Sequence, residues 1–565
     1  MKILGIHDGH TATACILDNG KLKAMVSEER IWHEKEKGGF PEEAIKEVLS
    51  ISGIKPSDID KVAVATLTPP LLPEHFNEPK FPRSLYQSFY RFIPRSLLQG
   101  DFYVDPIVKI VHKISRRREE IERKLRELGI GGDVVFVEHH LAHASSAFFG
   151  SGFERSLVLT LDGSGDGISG TYYVGDGLKL ELKGRISSYN SLGEFYTRIT
   201  EYLGLKPLSH EYKVMGLAPY ADPKHAEGVY RKVREFFKVE GDKIINKSGV
   251  YKRDYLKLFR RVFYRVRFDV IGYVAQKVLE DVVFNWVDNI RGDFDTVALG
   301  GGVFMNVKLN YGFLERFKNV FVMPSAGDES IAYGAAAYVS ALNGIKPEPI
   351  DTLYLGRDFS EREIDDALSE IDERKFKIEK IGKDIHEYVA DLLVEGFVVA
   401  RFYGRSEWGA RALGNRSILA DPRNLNVVSR INRMIKHRDF WMPFAPSVLD
   451  EDFEDYFIVP TRSKSEKYMI LGYPTKPRAH KELPASLHQG DLTGRPQVVF
   501  RNDNPEYYSL IKRFKEKTGV GAILNTSFNL HGYPIVYNPK QAIFTLLNSD
   551  LDALAMGEYL IMRIR

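Results

Sequence analysis

Residues 2–20, KILGIHDGHTATACILDNG, and residues 157–182, LVLTLDGSGDGISGTYYVGDGLKLEL, are two versions of one pattern. In each, an apolar strand runs into a turn of Asp and Gly and is followed by a hairpin. The first hairpin turns at Asp18-Asn19-Gly20 and the second at Gly175-Asp176-Gly177, residue types that tolerate the positive φ a tight turn demands. Two such units about 150 residues apart predict an internally duplicated α/β domain, of the kind that clamps a nucleotide between its halves; two unrelated hairpins are the plain alternative. Two further strands end in Gly-rich turns before helical patterns: TVALGGG (296–302) and NVFVMPSAGDES (319–330). Backbone N–H groups at a helix start favour phosphate. The polar, Pro-punctuated stretch 343–349 reads as a boundary, which gives domains over 1–345 and 350–565.

The chain of 565 residues is too long for one core. Hydrophobic residues at 44% and charged residues at 27% exclude extended disorder. With 79 Lys and Arg against 76 Asp and Glu, the net charge of +3 argues against nucleic acid as the main partner. Cys15 is the single cysteine, so an intramolecular disulfide and a cysteine metal cage are excluded, and a reducing cytoplasm is the expected location. No apolar run reaches the roughly 18 to 20 residues of a spanning helix, and MKILGIHDGH lacks the apolar stretch of a signal peptide, so no membrane partner is expected.

The segment EHHLAHASSAFFG follows strand DVVFV and predicts a helix capped at Gly150. His139 and His143 are four apart and share a face, a spacing suited to metal ligation and also found in ordinary helices. The pattern is not H-E-x-x-H. His140, off that face, reads as a core or nucleotide neighbour. The carboxylates at strand ends, Asp162 and Asp328, complete a set of two imidazoles and two carboxylates, which suits iron, manganese or zinc. GDGISG (165–170) matches G-x-G-x-x-G but precedes a strand rather than a helix, and no Walker A sequence exists. Cys15, within an apolar strand, reads as buried.

Residues 67–130 are rich in proline and aromatics and end in Arg116-Arg117-Arg118 before REEIERKLREL. They read as a helical insertion capping a cleft. The Arg run reads as a solvated helix face, and Tyr86, Phe89, Tyr90, Phe92, Phe102 and Tyr103 as the insertion's own core, with a sugar-stacking or apolar pocket wall as the alternative. Downstream, Arg405, Arg411, Arg416, Lys436, His437, Arg438 and Arg495 lie among Ser-, Asn- and Gly-rich turns, which favours a small phosphorylated ligand over a nucleic-acid surface.

The ordered motifs DGHTATACILDNG, SEERIWHEKEKGGFP, EHHLAHA, LDGSGDG, EYKVMGLAPY, ALGGGVFMN, SAGDES, GRSEWGARALGNRSILADPR, RDFWMPFAPSVL, GRPQVV and LNTSFN resemble those of the NodU/CmcH carbamoyltransferase family over nearly the whole chain. The resemblance implies an N-terminal duplicated actin/hexokinase-like ATPase superfold and a C-terminal YrdC-like α/β domain. It implies an O-carbamoyltransferase that makes carbamoyl-adenylate from carbamoyl phosphate and ATP with Mg²⁺, then passes the carbamoyl group to an acceptor hydroxyl of a small molecule or sugar. By the same resemblance His139, His143, Asp162 and Asp328 are metal ligands, with iron the expected ion. His10 is the base for the acceptor hydroxyl. Lys213, Gly301, Gly302 and Asn306 surround nucleotide. Lys436, Arg438 and Arg495 face the donor, with Arg416, Ser527 and Asn529 nearby. Thr11, Met442 and His531 depart from the usual Asp, Arg and Arg. Two other readings are a threonylcarbamoyl-type tRNA modification enzyme and a non-catalytic ATP-binding module. A homo-oligomer is compatible with all three.

Overall fold

The computed structural model describes residues 1–70, 95–102 and 104–564. Tyr86, Phe89, Tyr90, Phe92 and Tyr103 lie outside the described residues. The chain divides into two compact units. One holds Met1–Lys23, Gly38–Pro41 and Ser52–Ile350; the other holds Ala24–Lys37, Glu42–Ile51 and Asp351–Arg565. The segment bearing SEERIWHEK therefore groups with the C-terminal residues.

The first five strands are β1 (Lys2–His7), β2 (Thr13–Asp18), β3 (Lys21–Ser27), β4 (Lys61–Ala65) and β5 (Asp133–Val137), in sheet order β3-β2-β1-β4-β5. A second sheet contains β6 (Arg155–Gly165), β7 (Ile168–Asp176) and β8 (Lys179–Ser187). After the small hairpin β9 (Phe237–Glu240) and β10 (Lys243–Asn246), it is completed by β11 (Thr296–Gly300) and β12 (Asn319–Val322). Its order is β12-β11-β6-β7-β8. The two orders are the same topology: the first strand pairs antiparallel with the second and parallel with the fourth, and the fourth pairs parallel with the fifth. This repeated α/β topology is the duplicated actin/hexokinase-type arrangement. Parallel central strands are sheltered on both faces, so their sequences are unbroken apolar runs rather than alternating ones.

Three helices matter for the site: α1 (Arg117–Glu127), α2 (His139–Ser151) and α3 (Ile331–Leu342). The last two approach closely because Gly334 has no Cβ; one built there would lie 1.9 Å from the Ala142 carbonyl oxygen. Helix α2 continues one residue past Gly150 and is capped by Gly152 at φ +70. Gly150 instead packs inside the helix against Ile350. The insertion departs from the sequence reading in two places. Phe102 is 65% exposed and so is not core. Arg117 is buried, while Arg118 is exposed and pairs with Glu122 along the helix.

In the C-terminal unit, β13 (Phe376–Lys380), β14 (Val399–Phe402), β15 (Arg416–Ala420), β16 (Ala445–Leu449), β17 (Gln497–Val499), β18 (Ala522–Ser527), β19 (Ala553–Met556) and β20 (Tyr559–Arg563) form one sheet. Its order is β13-β20-β19-β14-β15-β18-β16-β17. The ends of β15 and β18 bring GNRS and NTSFN side by side, with Ser417 opposite Ser527. Among the described residues, no helix is long and apolar enough to cross a membrane.

Candidate functional site

Helix α2 starts where Glu138 turns its carboxylate onto the free amides of His140 and Leu141. The helix then places His139 and His143 on one buried face, their ring centroids 4.7 Å apart. Asp162 follows the pairing part of β6 and Asp328 follows the turn after β12, and both carboxylates reach that face. His139 Nε2 lies 3.4 Å from Asp162 Oδ2 and 3.6 Å from Asp328 Oδ1, and His143 Nε2 lies 3.4 Å from the same Asp328 oxygen. One donor atom from each of the four residues falls within 4.8 Å of the others. All four ring nitrogens of the two histidines are buried without a hydrogen bond. Buried polar atoms that converge without partners fit a metal ion, which would satisfy them together.

The electrostatics point the same way. Burial opposes a charge on His139, but Asp328, Asp162 and Asp166 outweigh it and raise its pKa to about 10. Without a cation, the site therefore recruits a proton. Burial opposes ionisation of Asp328 too, yet His139 and His143 hold its carboxyl well below the usual range.

The other oxygen of Asp328 faces His10, with Nδ1 to Oδ2 at 3.7 Å. Asp162 is likewise shared, since its Oδ1 accepts the Gly302 amide at 3.0 Å. Gly301, at φ +98, passes so close to β6 that a Cβ would lie 2.4 Å from the Leu161 carbonyl oxygen. The glycine turn after β11 is thereby pinned to a carboxylate of the cluster. Asn306 caps the following helix through the Leu309 amide and exchanges hydrogen bonds with Gln276, so its side chain is committed to packing. Lys213 lies half-buried on the helix Glu211–Leu217. His140 is bonded to Thr160 and to the Ile168 carbonyl, a core position. Cys15 is fully buried, and burial pushes its thiol pKa up.

In the C-terminal unit the Lys436 ammonium is buried among oxygens of the NTSFN turn: Ser527 Oγ at 3.1 Å, Asn529 Oδ1 at 2.7 Å, and both carbonyls. Burial, then Arg438 and Lys35, hold its pKa well below the lysine range. Arg438 bonds Thr526, and Arg495 bonds the Met469 carbonyl. Burial and the like charges of Arg411 and Arg438 weigh against the Arg495 cation. Arg416 is different. It is fully buried, directed to the carbonyls of Tyr403, Gly404, Asn415 and Tyr537, and stacked 3.6 Å from the Phe402 ring centroid. Its guanidinium is taken up by the backbone. His531 Nδ1 meets the Lys436 carbonyl at 2.9 Å.

Sequence reasoning passed over three residues beside the metal-type cluster. His7 is 1% exposed with neither ring nitrogen hydrogen-bonded, and burial lowers its pKa to about 4. Gly9 packs on it, since a Cβ there would come within 2.4 Å of His7 Nε2. Asp166 and Arg117 complete the surroundings. The signal for His7 and Asp166 was present in HDGH and GDG, where chemistry-bearing residues sit between turn glycines.

The repeated fold and the His/Asp cluster define an actin/hexokinase-type domain with a metal-type cluster, followed by a second, cation-rich α/β unit. Residues 2–337 match the carbamoyltransferase N-terminus and residues 390–563 the carbamoyltransferase C-terminus, so the chain belongs to the carbamoyltransferase family and is an enzyme that transfers carbamoyl groups. It is 35% identical to Nodulation protein NolNO of Sinorhizobium fredii across 99% of this chain and 79% of that one. It is 29% identical to the 3'-hydroxymethylcephem-O-carbamoyltransferase of Amycolatopsis lactamdurans, across 46% of this chain and 47% of that one. Among solved structures, the ROK hexokinase of Thermus thermophilus aligns over 61% of this chain and all of its own, at 15% identity and a TM-score of 0.31. At that score the strand order, not the alignment, carries the fold.

Proposed function

We propose that the C-terminal unit forms carbamoyl-adenylate from carbamoyl phosphate and ATP with Mg²⁺, and that the N-terminal unit transfers the carbamoyl group to an acceptor hydroxyl of a small molecule. For the atoms to balance, water releases phosphate from the donor to leave carbamate. A carbamate oxygen then attacks the α-phosphate of ATP and expels pyrophosphate. In the second step the acceptor oxygen attacks the carbamoyl carbon, its proton is taken up, and AMP leaves.

The observation that carries this reading is the bridging position of Asp328, with one oxygen toward His139 and His143 and the other toward His10. A carboxylate beside Nδ1 favours the tautomer with a proton there, which leaves Nε2 free to accept the hydroxyl proton. His139, His143, Asp162 and Asp328 would hold a divalent first-row ion, with iron favoured. Bound there, the ion supplies positive charge for anionic oxygens of the adenylate. The Gly301–Gly302 turn lies beside the cluster, its amides donating to the Ala326 carbonyl and to Asp162, so it lets nucleotide approach the carboxylate through its lack of side chains. In the other unit Lys436, Arg438 and Arg495 present cations to the donor phosphates, and Ser527 and Asn529 hold the Lys436 ammonium in place.

The test needs no acceptor: ATP, Mg²⁺ and carbamoyl phosphate are supplied and pyrophosphate is followed. Release that depends on carbamoyl phosphate supports the donor half-reaction. Release only with threonine and bicarbonate, or no release from protein that binds ATP, overturns it. His10→Ala is expected to leave metal content and pyrophosphate release unchanged while slowing transfer about 10²- to 10⁴-fold, the usual worth of a general base. Unchanged transfer would remove His10 from that role.

Lys436 also sets a pH dependence. Its free ammonium pKa is depressed, and an arriving phosphate dianion raises it, so binding takes up a proton between the two values. Donor affinity should therefore fall as pH rises through that window, with Kd rising up to about tenfold per pH unit at the limit of one proton per donor. Calorimetry in two buffers of different ionisation enthalpy reads the proton uptake directly. In Lys436→Met the uptake should vanish and the remaining affinity should lose this slope.

A further inference from the structure

The turn after β4, residues 65–68, is gripped from both sides. Thr66 adopts φ +70, a left-handed conformation that a β-branched residue resists and that persists only when its surroundings enforce it. On one side, the Asp166 carboxylate accepts the Leu67 amide at 2.9 Å, and the Thr68 amide and hydroxyl at 2.8 Å each. It also accepts the His139 amide at 2.9 Å, which ties this turn to the start of the helix bearing both histidines. On the other side, Arg117 reaches in from α1, 8% exposed. Its Nε and Nη2 grip both oxygens of Asp8, and its Nη1 and Nη2 donate to the carbonyls of Ala65, Thr66 and Thr68. These are five bonds for the five N–H groups a guanidinium owns. Asp8 stands two residues before His10.

We propose that Arg117 is a positioning residue for carbamoyl transfer: it fixes the His10 loop relative to the metal-ligand helix by fastening Asp8 to the strained 65–68 turn, which Asp166 fastens to His139. The inference rests on the reading of His10 as base. A fork is required because the bonds run in two directions at once, to a carboxylate and to three carbonyls. An ammonium has three N–H groups and cannot span them. The insertion therefore contributes a strut to the transfer site.

The experiment uses the full chain loaded with Co²⁺. The rate of His10 carbethoxylation by diethyl pyrocarbonate is read by mass spectrometry from pH 5 to 8. Co²⁺ affinity, the Co²⁺ visible spectrum and carbamoyl-phosphate-dependent pyrophosphate release are measured on the same samples. Arg117→Gln should change the His10 rate by about fivefold or more, because the loop loses its fixed register. Co²⁺ affinity and spectrum should hold, because Asp166 still anchors His139. Arg117→Lys should fall between wild type and Arg117→Gln, since an ammonium keeps the charge but not the fork. Asp8→Asn, which keeps the shape but removes the charge, should shift His10 in the same direction if Arg117→Gln does not fold. A wild-type His10 profile in folded Arg117→Gln or Asp8→Asn overturns the proposal. So does a loss of Co²⁺ affinity in step with the His10 change. Absent pyrophosphate release in the wild type would strike the functional reading alone and leave the His10 result standing.

Discussion

His139→Ala is expected to remove bound metal and to lower carbamoyl transfer about a thousandfold or more, while pyrophosphate release stays within about twofold of wild type. The asymmetry follows from where the residue sits. His139 is buried at the head of α2 and faces both Asp162 and Asp328, so its loss takes one of four donors and leaves two carboxylates close together without the imidazole between them. The donor half-reaction is assigned to groups of the other unit, to which this side chain does not belong. Because His139 attracts a proton to about pH 10, a metal must displace that proton, and apparent metal affinity should rise with pH through the neutral range. Metal content by elemental analysis, pyrophosphate release and transfer form three readouts. Equal loss of all three would mean that the variant unfolds, and retained metal with retained transfer would dismiss the cluster as the centre of the reaction.

Arg495→Ala should produce the opposite division, with a second signature in stability. Metal content should be untouched and pyrophosphate release should fall about 10²- to 10³-fold, the usual effect of removing one preorganised cation from a phosphate site. The free protein should meanwhile become more stable. Arg495 is surrounded by the like charges of Arg411 and Arg438 and donates to the Met469 carbonyl. Cations gathered for an anion repel one another before it arrives, and removing one is expected to raise the melting temperature by about 2–4 °C, as for roughly 1 kcal/mol in a unit of this size. Carbamoyl phosphate should stabilise the wild type and not the variant. A variant that melts lower and keeps its activity would assign Arg495 to the scaffold, as the carbonyl bonds of Arg416 assign that residue.

What was legible in the sequence was whatever local rules decide. Asn19 and Gly20 do take positive φ, the hairpin turns fall where expected, and His139 and His143 share a helix face because four residues make about one turn. The cap was misplaced by two residues, from Gly150 to Gly152. Both glycines suit a helix end, and only the packing of Ile350 shows that Gly150 is needed for close approach instead.

The amino-acid sequence by itself determined the duplicated strand-and-turn pattern, the helical histidine pair, the two strand-end carboxylates and the family, because each is written in neighbouring residues or ordered motifs. Tertiary structure alone decided which charges meet. Arg116-Arg117-Arg118 reads as a solvated face, and Arg118 obeys that reading with Glu122 one turn away. Arg117, its immediate neighbour, is buried against Asp8, 109 residues distant. Arg416 and Arg495 look alike in sequence, yet one meets backbone carbonyls and the other meets like charges. Helical periodicity specifies which residues share a face, but the partner that a face receives depends on contacts between residues far apart in the chain, and a buried ion pair forms only where the fold delivers both members together.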